Sequence, residues 1–284
     1  MFIENGLKHD YVNFNISKES YILDNKVVVP QLGIHTSNSC NLKCTSCTNF
    51  SNYTSGNFLT PEKYESMLQN WSNKIFPRKF KISGGEPFLN KHLEKIVELT
   101  RNYFNYHGEF KSYIIIDSNG LLIEKSNFNF DCLKENDVEL RLSKHSNDDL
   151  YLQKFNAVQD FLRSKQVLFR ITPSVDMWSE TYKVIDGTIV PFDDKNAKQS
   201  WSICFQKFCK QLYENKIYKC PPVTYYNLTK LKLHDNFKVY DQYAPLQHTA
   251  CLEDILIFFN SKEETACSLC PARNLPYPIK KTIN

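Results

Sequence analysis

The chain lacks long hydrophobic runs and is poor in glycine. Its longest apolar stretches, such as Ile114 to Ile116 and Ile255 to Phe259, are far shorter than the roughly 20 residues needed to cross a bilayer. The N-terminal residues contain no apolar segment of the signal-peptide type. Only 8 of the 284 residues are glycine, so paired glycines are informative where they occur. These absences predict a cytoplasmic protein with no membrane partner.

A large excess of charge of one sign is also missing. The chain has 35 Lys and Arg against 31 Asp and Glu, a net charge of +4, and no long run of either sign. This balance argues against a nucleic-acid partner and fits a small or mildly anionic ligand. A hydrophobic content of 42% with 14% aromatic residues is enough for a substantial core. The length allows one large domain, or a core with a smaller appendage.

Cysteine, by contrast, is present at ten positions, and three of these are closely spaced. Cys40, Cys44 and Cys47 form a C-x3-C-x2-C pattern directly after an apolar run. In a reducing compartment, clustered cysteines are more often metal ligands than disulfide partners. Three thiolates on one short loop can hold a four-iron cluster and leave one iron without a protein ligand. A zinc site or buried free thiols are the alternatives for this triplet.

Segments with strand and helix character alternate from about residue 27 to residue 175. The predicted strands are 27–37, 79–84, 112–120, 138–143 and 167–174. Helices are predicted between strands, one beginning after Thr60 as N-cap with Pro61 at its first position, and the next capped by Asn90. This alternation predicts βαβ units on a parallel sheet, which right-handed crossovers curl into a barrel or part of one.

Small and polar residues follow several of these strands, at the ends where ligands bind in such folds. The segment Gly84–Pro87 follows the second strand, Ser118–Gly120 follows the third, and Ser143 ends the fourth. With Cys40 after the first strand, these positions are predicted to converge on one site. Tight turns at the strand ends would also account for the glycines and for the Ser118–Gly120 segment.

The cysteine triplet followed by ISGGEPFLN resembles the radical S-adenosylmethionine (radical SAM) superfamily. This resemblance implies that the three clustered thiolates hold a [4Fe–4S] cluster. It also implies that the remaining iron binds the amino and carboxylate groups of S-adenosylmethionine. Gly84, Gly85 and Glu86 match the family motif that holds the methionyl ammonium group.

Weaker matches to the same superfamily follow the third and fourth strands. Ser118 and Asn119 resemble its T-N-G segment, and Ser143 matches a position that often contacts the ribose, although it would equally suit an ordinary barrel-lining residue. The chain departs from the family at Ser46, where an aromatic residue usually precedes the third cysteine. Adenine stacking must then come from elsewhere, and Phe50 is the candidate.

The last third of the chain holds a second group of cysteines. Cys204, Cys209 and Cys220 are followed by the C-x2-C pair Cys267 and Cys270. This spacing resembles the auxiliary-cluster extensions called twitch and SPASM domains, and it implies a second, auxiliary [4Fe–4S] cluster. Five cysteines are available for four positions, so either Cys204 or Cys209 is the first ligand. A zinc site is the alternative.

The predicted fold class is α/β, a partial (β/α)6 radical SAM barrel with a small C-terminal cysteine-rich α+β domain. Residues 1–26 form an N-terminal extension, 27–176 the barrel and 177–284 the twitch- or SPASM-like domain. Cys132 and Cys251 have no cysteine close by and are predicted to be buried structural thiols.

The resemblance implies reductive cleavage of S-adenosylmethionine to a 5′-deoxyadenosyl radical, which abstracts a hydrogen atom from a small polar substrate. That substrate is predicted to be a sugar, an aminocyclitol or a nucleotide-activated sugar, oxidised or rearranged in glycan or secondary-metabolite biosynthesis. Flavodoxin or ferredoxin is the expected electron donor. No catalytic residue is assigned, although Lys144, His145 and Arg170 lie near strand ends.

Two other functions stay open. One is peptide maturation, although only about 26 residues precede the first strand, fewer than a peptide-binding domain needs. The other is a non-catalytic scaffold stapled by metal.

Overall fold

The computed structural model describes residues 19–174 and 180–273. Its strands are β1 (Tyr21–Leu23), β2 (Lys26–His35), β3 (Ile75–Ser83), β4 (Tyr106–His107), β5 (Phe110–Lys111), β6 (Tyr113–Ser118), β7 (Val138–Lys144), β8 (Phe169–Pro173), β9 (Tyr182–Ile185), β10 (Thr188–Pro191), β11 (Gln211–Tyr213), β12 (Lys216–Tyr218), β13 (Lys232–Leu233) and β14 (Leu246–Gln247). Its α-helices are α1 (Pro61–Trp71), α2 (Leu93–Tyr103), α3 (Asp131–Glu135), α4 (Asp149–Ser164), α5 (Ala197–Ile203), α6 (Pro221–Tyr225), α7 (Lys238–Asp241) and α8 (Leu252–Asn260).

The main sheet has nine strands, in the order β14-β12-β11-β2-β3-β6-β7-β8 with β1 paired to β2. The strands β2, β3, β6, β7 and β8 are parallel neighbours and coincide with the five strands predicted from the sequence. The four connections between these strands contain α1, α2, α3 and α4 in turn. The predicted α/β class is therefore confirmed, and the five parallel strands agree with a partial (β/α)6 barrel, whereas the small C-terminal α+β domain stays a prediction.

The two faces of the parallel strands have opposite character. On β3, Phe80 and Ile82 are fully buried, and the Phe80 ring stacks on Phe104 at the end of α2 with 5.3 Å between ring centroids. Lys79 and Lys81 point to the opposite face, where they line an internal cavity. The apolar face holds the helices against the sheet, and the polar face leaves the inside of the barrel open to a ligand.

The helix beginnings agree with the sequence in one case and differ in the other. The Thr60 side chain accepts a hydrogen bond from a backbone N–H in the first turn of α1, as predicted for an N-cap. Asn90 does not cap α2, because His92 occupies the N-cap position. The Asn90 amide instead donates to the carbonyl oxygens of Thr36 (2.8 Å) and Leu59 (2.9 Å). It therefore ties the start of α2 to the loop that leaves β2.

The cysteine-rich region continues the main sheet. β11 runs parallel to β2 with Gln211 opposite Gly33, and β12 and β14 follow in antiparallel pairing. Buried side chains from this region complete the main core, namely Leu212, Ile217, Ile255 and Phe259. β9, β10 and β13 form a separate three-stranded sheet.

The division into residues 1–26, 27–176 and 177–284 stays a prediction. Residues 1–18 of the extension, 175–179 near the second boundary and the end of the chain after 273 lie outside the described residues. Within the described part of the chain, every helix is too short or too polar to cross a bilayer.

Candidate functional site

The three clustered cysteines lie on the loop that leaves β2, at the rim of a cavity of about 450 Å³. Cys44 is buried, whereas Cys40 and Cys47 are partly exposed, and all three line the cavity. Burial, reinforced by the neighbouring Glu86, Cys47 and Cys44, raises the pKa of Cys40 well above its usual value, although the Leu42 N–H points at its sulfur from 3.4 Å. The thiols of the triplet thus share one partly desolvated environment.

The two glycines after β3 pack directly against this cysteine loop. The Gly85 N–H donates to the Ser37 carbonyl at 2.7 Å, and the Glu86 N–H donates to the Ser39 carbonyl at 2.9 Å. A Cβ atom at Gly85 would lie 2.1 Å from the Ser39 oxygen, and one at Gly84 would lie 2.5 Å from the Ser37 oxygen. No other residue type fits at this approach, since the atoms opposite belong to backbone.

Replacing Gly85 by alanine is therefore expected to displace the Ser39–Cys40 backbone. Anaerobically reconstituted Gly85→Ala should bind about four irons fewer than the wild type, because a shifted loop no longer presents its three thiolates together. Iron and sulfide analysis measures this. The matched control is Gly187→Ala, where the φ of +71° strains alanine locally but nothing lies within 4 Å of the added Cβ, so the iron content per folded chain should equal that of the wild type. Equal iron in both variants would contradict the packing role of Gly85.

Glu86 connects the ends of two neighbouring strands. It is fully buried, and its carboxylate accepts hydrogen bonds from Ser118 Oγ (2.7 Å), the Asn119 N–H (2.8 Å) and the Phe88 N–H (3.2 Å). Burial raises the pKa of Glu86 to about 7 against the opposing effect of these donors. Both of its oxygens serve the protein's own hydrogen bonds, and the residue is not among those lining the cavity. Its predicted contact with a ligand ammonium group stays a prediction.

The predicted residues after β6 and β7 do reach the cavity. Ser118, Asn119 and Ser143 all line it. The Asn119 amide donates to the Asn41 side chain at 2.8 Å and lies 3.8 Å from the sulfur of Cys40. The structure therefore brings the cysteine loop and the ends of β3, β6 and β7 together around one space, as the sequence predicts.

The expectation that Phe50 stacks on adenine is wrong. Phe50 is 1% exposed and stacks on Tyr182, with 4.8 Å between ring centroids, inside a second apolar cluster. Ser46, the departure from the family pattern, accepts a hydrogen bond from the Thr181 N–H at 3.0 Å and donates to the Tyr182 carbonyl at 3.0 Å. Both residues fasten the cysteine loop to β9 rather than facing the cavity.

A network of charged side chains inside the barrel was missed at the sequence level. Lys81 lies 3.0 Å from Asp117, and Arg141 binds both carboxylate oxygens of Asp117. Burial opposes ionisation of Asp117, but Arg141 and Lys81 outweigh it and hold its pKa well below the usual range. Deeper in the barrel, Arg170 pairs with Glu139 at 2.7 Å. The available signal was the alternation of charged and apolar residues along strands whose other face is mostly apolar.

The three residues noted near strand ends have different positions. His145 is largely buried and lines the cavity. Its backbone N–H donates a hydrogen bond to the Tyr151 hydroxyl at 2.9 Å. Arg170 belongs to the pair with Glu139, and Lys144 is not a lining residue. None of these positions assigns a catalytic role.

Four of the C-terminal cysteines form a compact group. They are Cys204, Cys220, Cys267 and Cys270, which lie close enough to raise one another's pKa values, and Cys209 raises the pKa of Cys204 in the same way. Burial is the main cause that raises the pKa of Cys204 to about 11 and that of Cys270 to about 12. We call these four thiols the C-terminal quartet. Buried thiols packed this closely are a fitting ligand set for a metal or cluster.

Cys209 lies between these four thiols and the barrel, since it also raises the pKa of Cys204. It lines the barrel cavity together with the cysteine triplet, and its sulfur accepts a hydrogen bond from the Gln31 side chain of β2 at 3.4 Å. Among the described cysteines, Cys132 is buried as predicted. The prediction for Cys251 is wrong, because this residue is exposed and caps α8, where its sulfur lies 3.1 Å from Asp254.

Two buried lysines accompany the C-terminal quartet. Lys219 donates to Glu264 at 2.7 Å. Lys210 is 2% exposed, and its ammonium group lies over the rings of Phe258 (5.5 Å) and Phe259 (5.9 Å) with no carboxylate in ion-pairing range among the residues described. Burial lowers the pKa of Lys210 to about 8. A buried cation without an anion is costly, so an anionic group beside it would be stabilised.

The ten cysteines are all free thiols. Across residues 19–174 and 180–273, no three His, Cys, Asp or Glu side chains converge on a single point in the way that ligands of one metal ion do. Thiolates that hold an iron–sulfur cluster each bind a different iron, so they need not meet at one point.

Comparison with known proteins agrees with the site geometry. Residues 34–183, just over half of the chain, match the sequence model of the Radical SAM superfamily. A probable GTP 3′,8-cyclase of Methanocaldococcus jannaschii is 28% identical over 157 residues, which cover 55% of this chain and 49% of the relative. A probable GTP 3′,8-cyclase of Methanococcus aeolicus is 34% identical over 98 residues, 34% of this chain and 31% of the relative. The matched parts thus span half or less of these curated relatives.

Solved structures with similar parts include native anSMEcpe with bound AdoMet, at 25% identity and a TM-score of 0.38, covering 50% of this chain and 44% of that one. Streptococcus suis SuiB bound to S-adenosylmethionine gives 21% identity and a TM-score of 0.40, covering 52% of this chain and 34% of that one. Since the superfamily match covers more than half of the chain, including the cysteine loop and the strands β3, β6, β7 and β8, the chain belongs to the radical SAM superfamily.

Proposed function

We propose that this protein reductively cleaves S-adenosylmethionine and abstracts a hydrogen atom from a small polar substrate. The observation that supports this most strongly is the meeting of the cysteine loop, the Gly84–Gly85 backbone and Asn119 around one cavity. That cavity continues into a barrel lined by charged and hydroxyl side chains, which suits a polar ligand.

Cys40, Cys44 and Cys47 would hold the [4Fe–4S] cluster of the superfamily, and the Gly84–Gly85 backbone would border S-adenosylmethionine. When bound, this cofactor pair supplies the radical that removes a substrate hydrogen atom. The chain's own residues fit such an occupant. The Ser51 hydroxyl is buried at the cavity wall and has no hydrogen-bond partner among the residues described, so a ligand there would satisfy it.

The remaining residues of the site position these groups. The hydrogen bonds from Gly85 and Glu86 to the cysteine loop fix its distance from β3. Glu86 in turn fixes the end of β6 through Ser118 and Asn119. Because both connections are buried, the loop is held in shape before any ligand binds, and the entropic cost of assembling the site is reduced.

We further propose that the C-terminal quartet holds an auxiliary [4Fe–4S] cluster with Cys204, not Cys209, as its first ligand. The proximity of the four thiols supports this set. The buried charge of Lys210 supports an anionic cluster near Cys220, and it favours neither Cys204 nor Cys209 as the first ligand because Lys210 directly follows Cys209. A small one-electron donor of the flavodoxin or ferredoxin class would reduce the enzyme. The ten free thiols support a reducing, cytoplasmic compartment.

The experiment that tests the proposed function is anaerobic incubation of the reconstituted protein with dithionite and S-adenosylmethionine. The expected result is 5′-deoxyadenosine, detected by liquid chromatography and mass spectrometry, together with about eight irons per chain. Protein with its full iron content that forms no 5′-deoxyadenosine would overturn the catalytic proposal. Bound zinc in place of iron would leave the metal-stapled scaffold as the function.

A further inference from the structure

We infer that the substrate carries an anionic group, a phosphate or a carboxylate, that binds Lys79 in the interior of the barrel. This inference rests on the proposed function and names the chemical class of its substrate. The observations that carry it are the position of Lys79 on the cavity wall and the uneven count of charges around it.

Four cations and two anions face one another inside the barrel. Asp117 is shared between Lys81 and Arg141, and Glu139 is paired with Arg170. Lys79 is the cation left over, with no hydrogen bond or carboxylate partner among the residues described. Burial lowers the pKa of Lys79 to about 8, with Arg141, Lys81 and Arg170 acting in the same direction and Asp117 opposing them.

An unpaired ammonium group in a desolvated cavity is unfavourable unless a ligand neutralises it. Cofactors held at the cysteine loop would lie beyond the end of β3, four residues along the strand from Lys79, so they would not place an anion in contact with it. The excess of positive charge therefore remains for the substrate to neutralise. A lysine ammonium is a suitable partner for a phosphate or carboxylate group, since charge-assisted hydrogen bonds to such groups are the strong ones.

The position of Lys79 along β3 also suggests how the substrate lies. Lys79 is four residues before Ser83, about 13 Å below the end of the strand at the usual rise per residue. Gln31 lies opposite Lys79 on β2, and Lys81 and Ser83 continue up the same wall towards the cysteine loop. A substrate anchored by its anionic end at Lys79 would extend upward, with its reacting carbon nearer the three thiols.

The test is equilibrium dialysis of radiolabelled inorganic phosphate, and separately of acetate, with the reconstituted protein and S-adenosylmethionine. Lys79→Gln should weaken binding of the preferred anion by about tenfold or more. The matched control is Arg78→Gln, which removes the same charge one position along β3, where Arg78 faces the ring of Phe110 instead of the cavity. This control should bind the anion as the wild type does.

Each result has one meaning. If only phosphate binds in a Lys79-dependent way, the substrate is phosphorylated. If only acetate does so, the substrate carries a carboxylate. If both do so, Lys79 forms a general anion site. Absence of binding, or binding unaffected by Lys79→Gln, overturns the inference. Iron content and 5′-deoxyadenosine formation without substrate are measured on the same samples. If the wild type forms no 5′-deoxyadenosine, the proposed function is wrong. If the wild type forms 5′-deoxyadenosine but binds neither anion, only the inference about the substrate is wrong.

Discussion

Replacing Cys44 by alanine is expected to abolish 5′-deoxyadenosine formation. Cys44 is the central and most buried thiol of the triplet. Without it two thiolates remain on the loop, too few to retain the cluster that the superfamily uses. The product should fall to the background of the protein-free reaction, and the iron content should drop from about eight to about four per chain if the C-terminal quartet keeps its own cluster. The two quantities are measured on one preparation.

The fold itself should survive this substitution. Cys44 is not part of either apolar cluster, and alanine removes only a sulfur atom from a loop. Circular dichroism should therefore match the wild type. The control is Cys251→Ser, which changes a thiol that is exposed at the start of α8 and for which serine is a good N-cap. It should keep full activity and full iron. A Cys44→Ala protein that still forms 5′-deoxyadenosine would remove the triplet from the mechanism.

The features that could be predicted from the sequence are those encoded within short segments. The parallel strands were predicted because each combines an apolar run with a polar or glycine-containing end. Gly84 and Gly85 were recognisable because they belong to a short motif that follows the cysteine triplet in the sequence. The structure adds the cause, since a Cβ at either position would meet the backbone of the cysteine loop.

The features that could not be predicted depend on which distant segments meet. Phe50 follows the cysteine triplet closely and resembles an exposed aromatic platform, but it packs against Tyr182 in a cluster built largely from later parts of the chain. The charge on Lys79 is visible in the sequence. The sequence does not show that Lys79 lacks an ion-pair partner among the described residues, because this depends on the ion pairs that Asp117 forms with Lys81 and Arg141. Tertiary contacts decide such pairings, and one strand's sequence does not contain them.

The choice between Cys204 and Cys209 is of the same kind. Spacing allowed either one as a ligand. The pairing of β11 with β2, at Gln211 opposite Gly33, places Cys209 beside Gln31 on the cavity wall, whereas Cys204 at the end of α5 lies with the other thiols of the quartet. Cysteine spacing alone did not decide which of Cys204 and Cys209 binds the cluster. The different positions of these two thiols in the fold allow the iron content of the two variants to decide it.

Replacing Cys270 by alanine is accordingly expected to halve the iron content while sparing the cleavage of S-adenosylmethionine in the absence of substrate. Cys270 is buried among the quartet, and its loss leaves three thiolates that come from separate segments, at residues 204, 220 and 267, and not from one short loop like that of the triplet, so the auxiliary cluster should not be retained. The first cluster is bound by a different loop, and effects at separate sites are independent, so 5′-deoxyadenosine formation should stay within about twofold of the wild type.

The paired variants Cys204→Ala and Cys209→Ala make this prediction discriminating. Cys204→Ala should behave as Cys270→Ala does, with about four irons, because both belong to the proposed ligand set. Cys209→Ala should retain about eight, since its thiol contacts Gln31 and lines the barrel cavity instead. The opposite pattern would place Cys209 in the cluster and require β11 to move away from β2. Full iron in every one of these variants would mean that the quartet binds no cluster, and Lys210 would then need another anion to balance its buried charge.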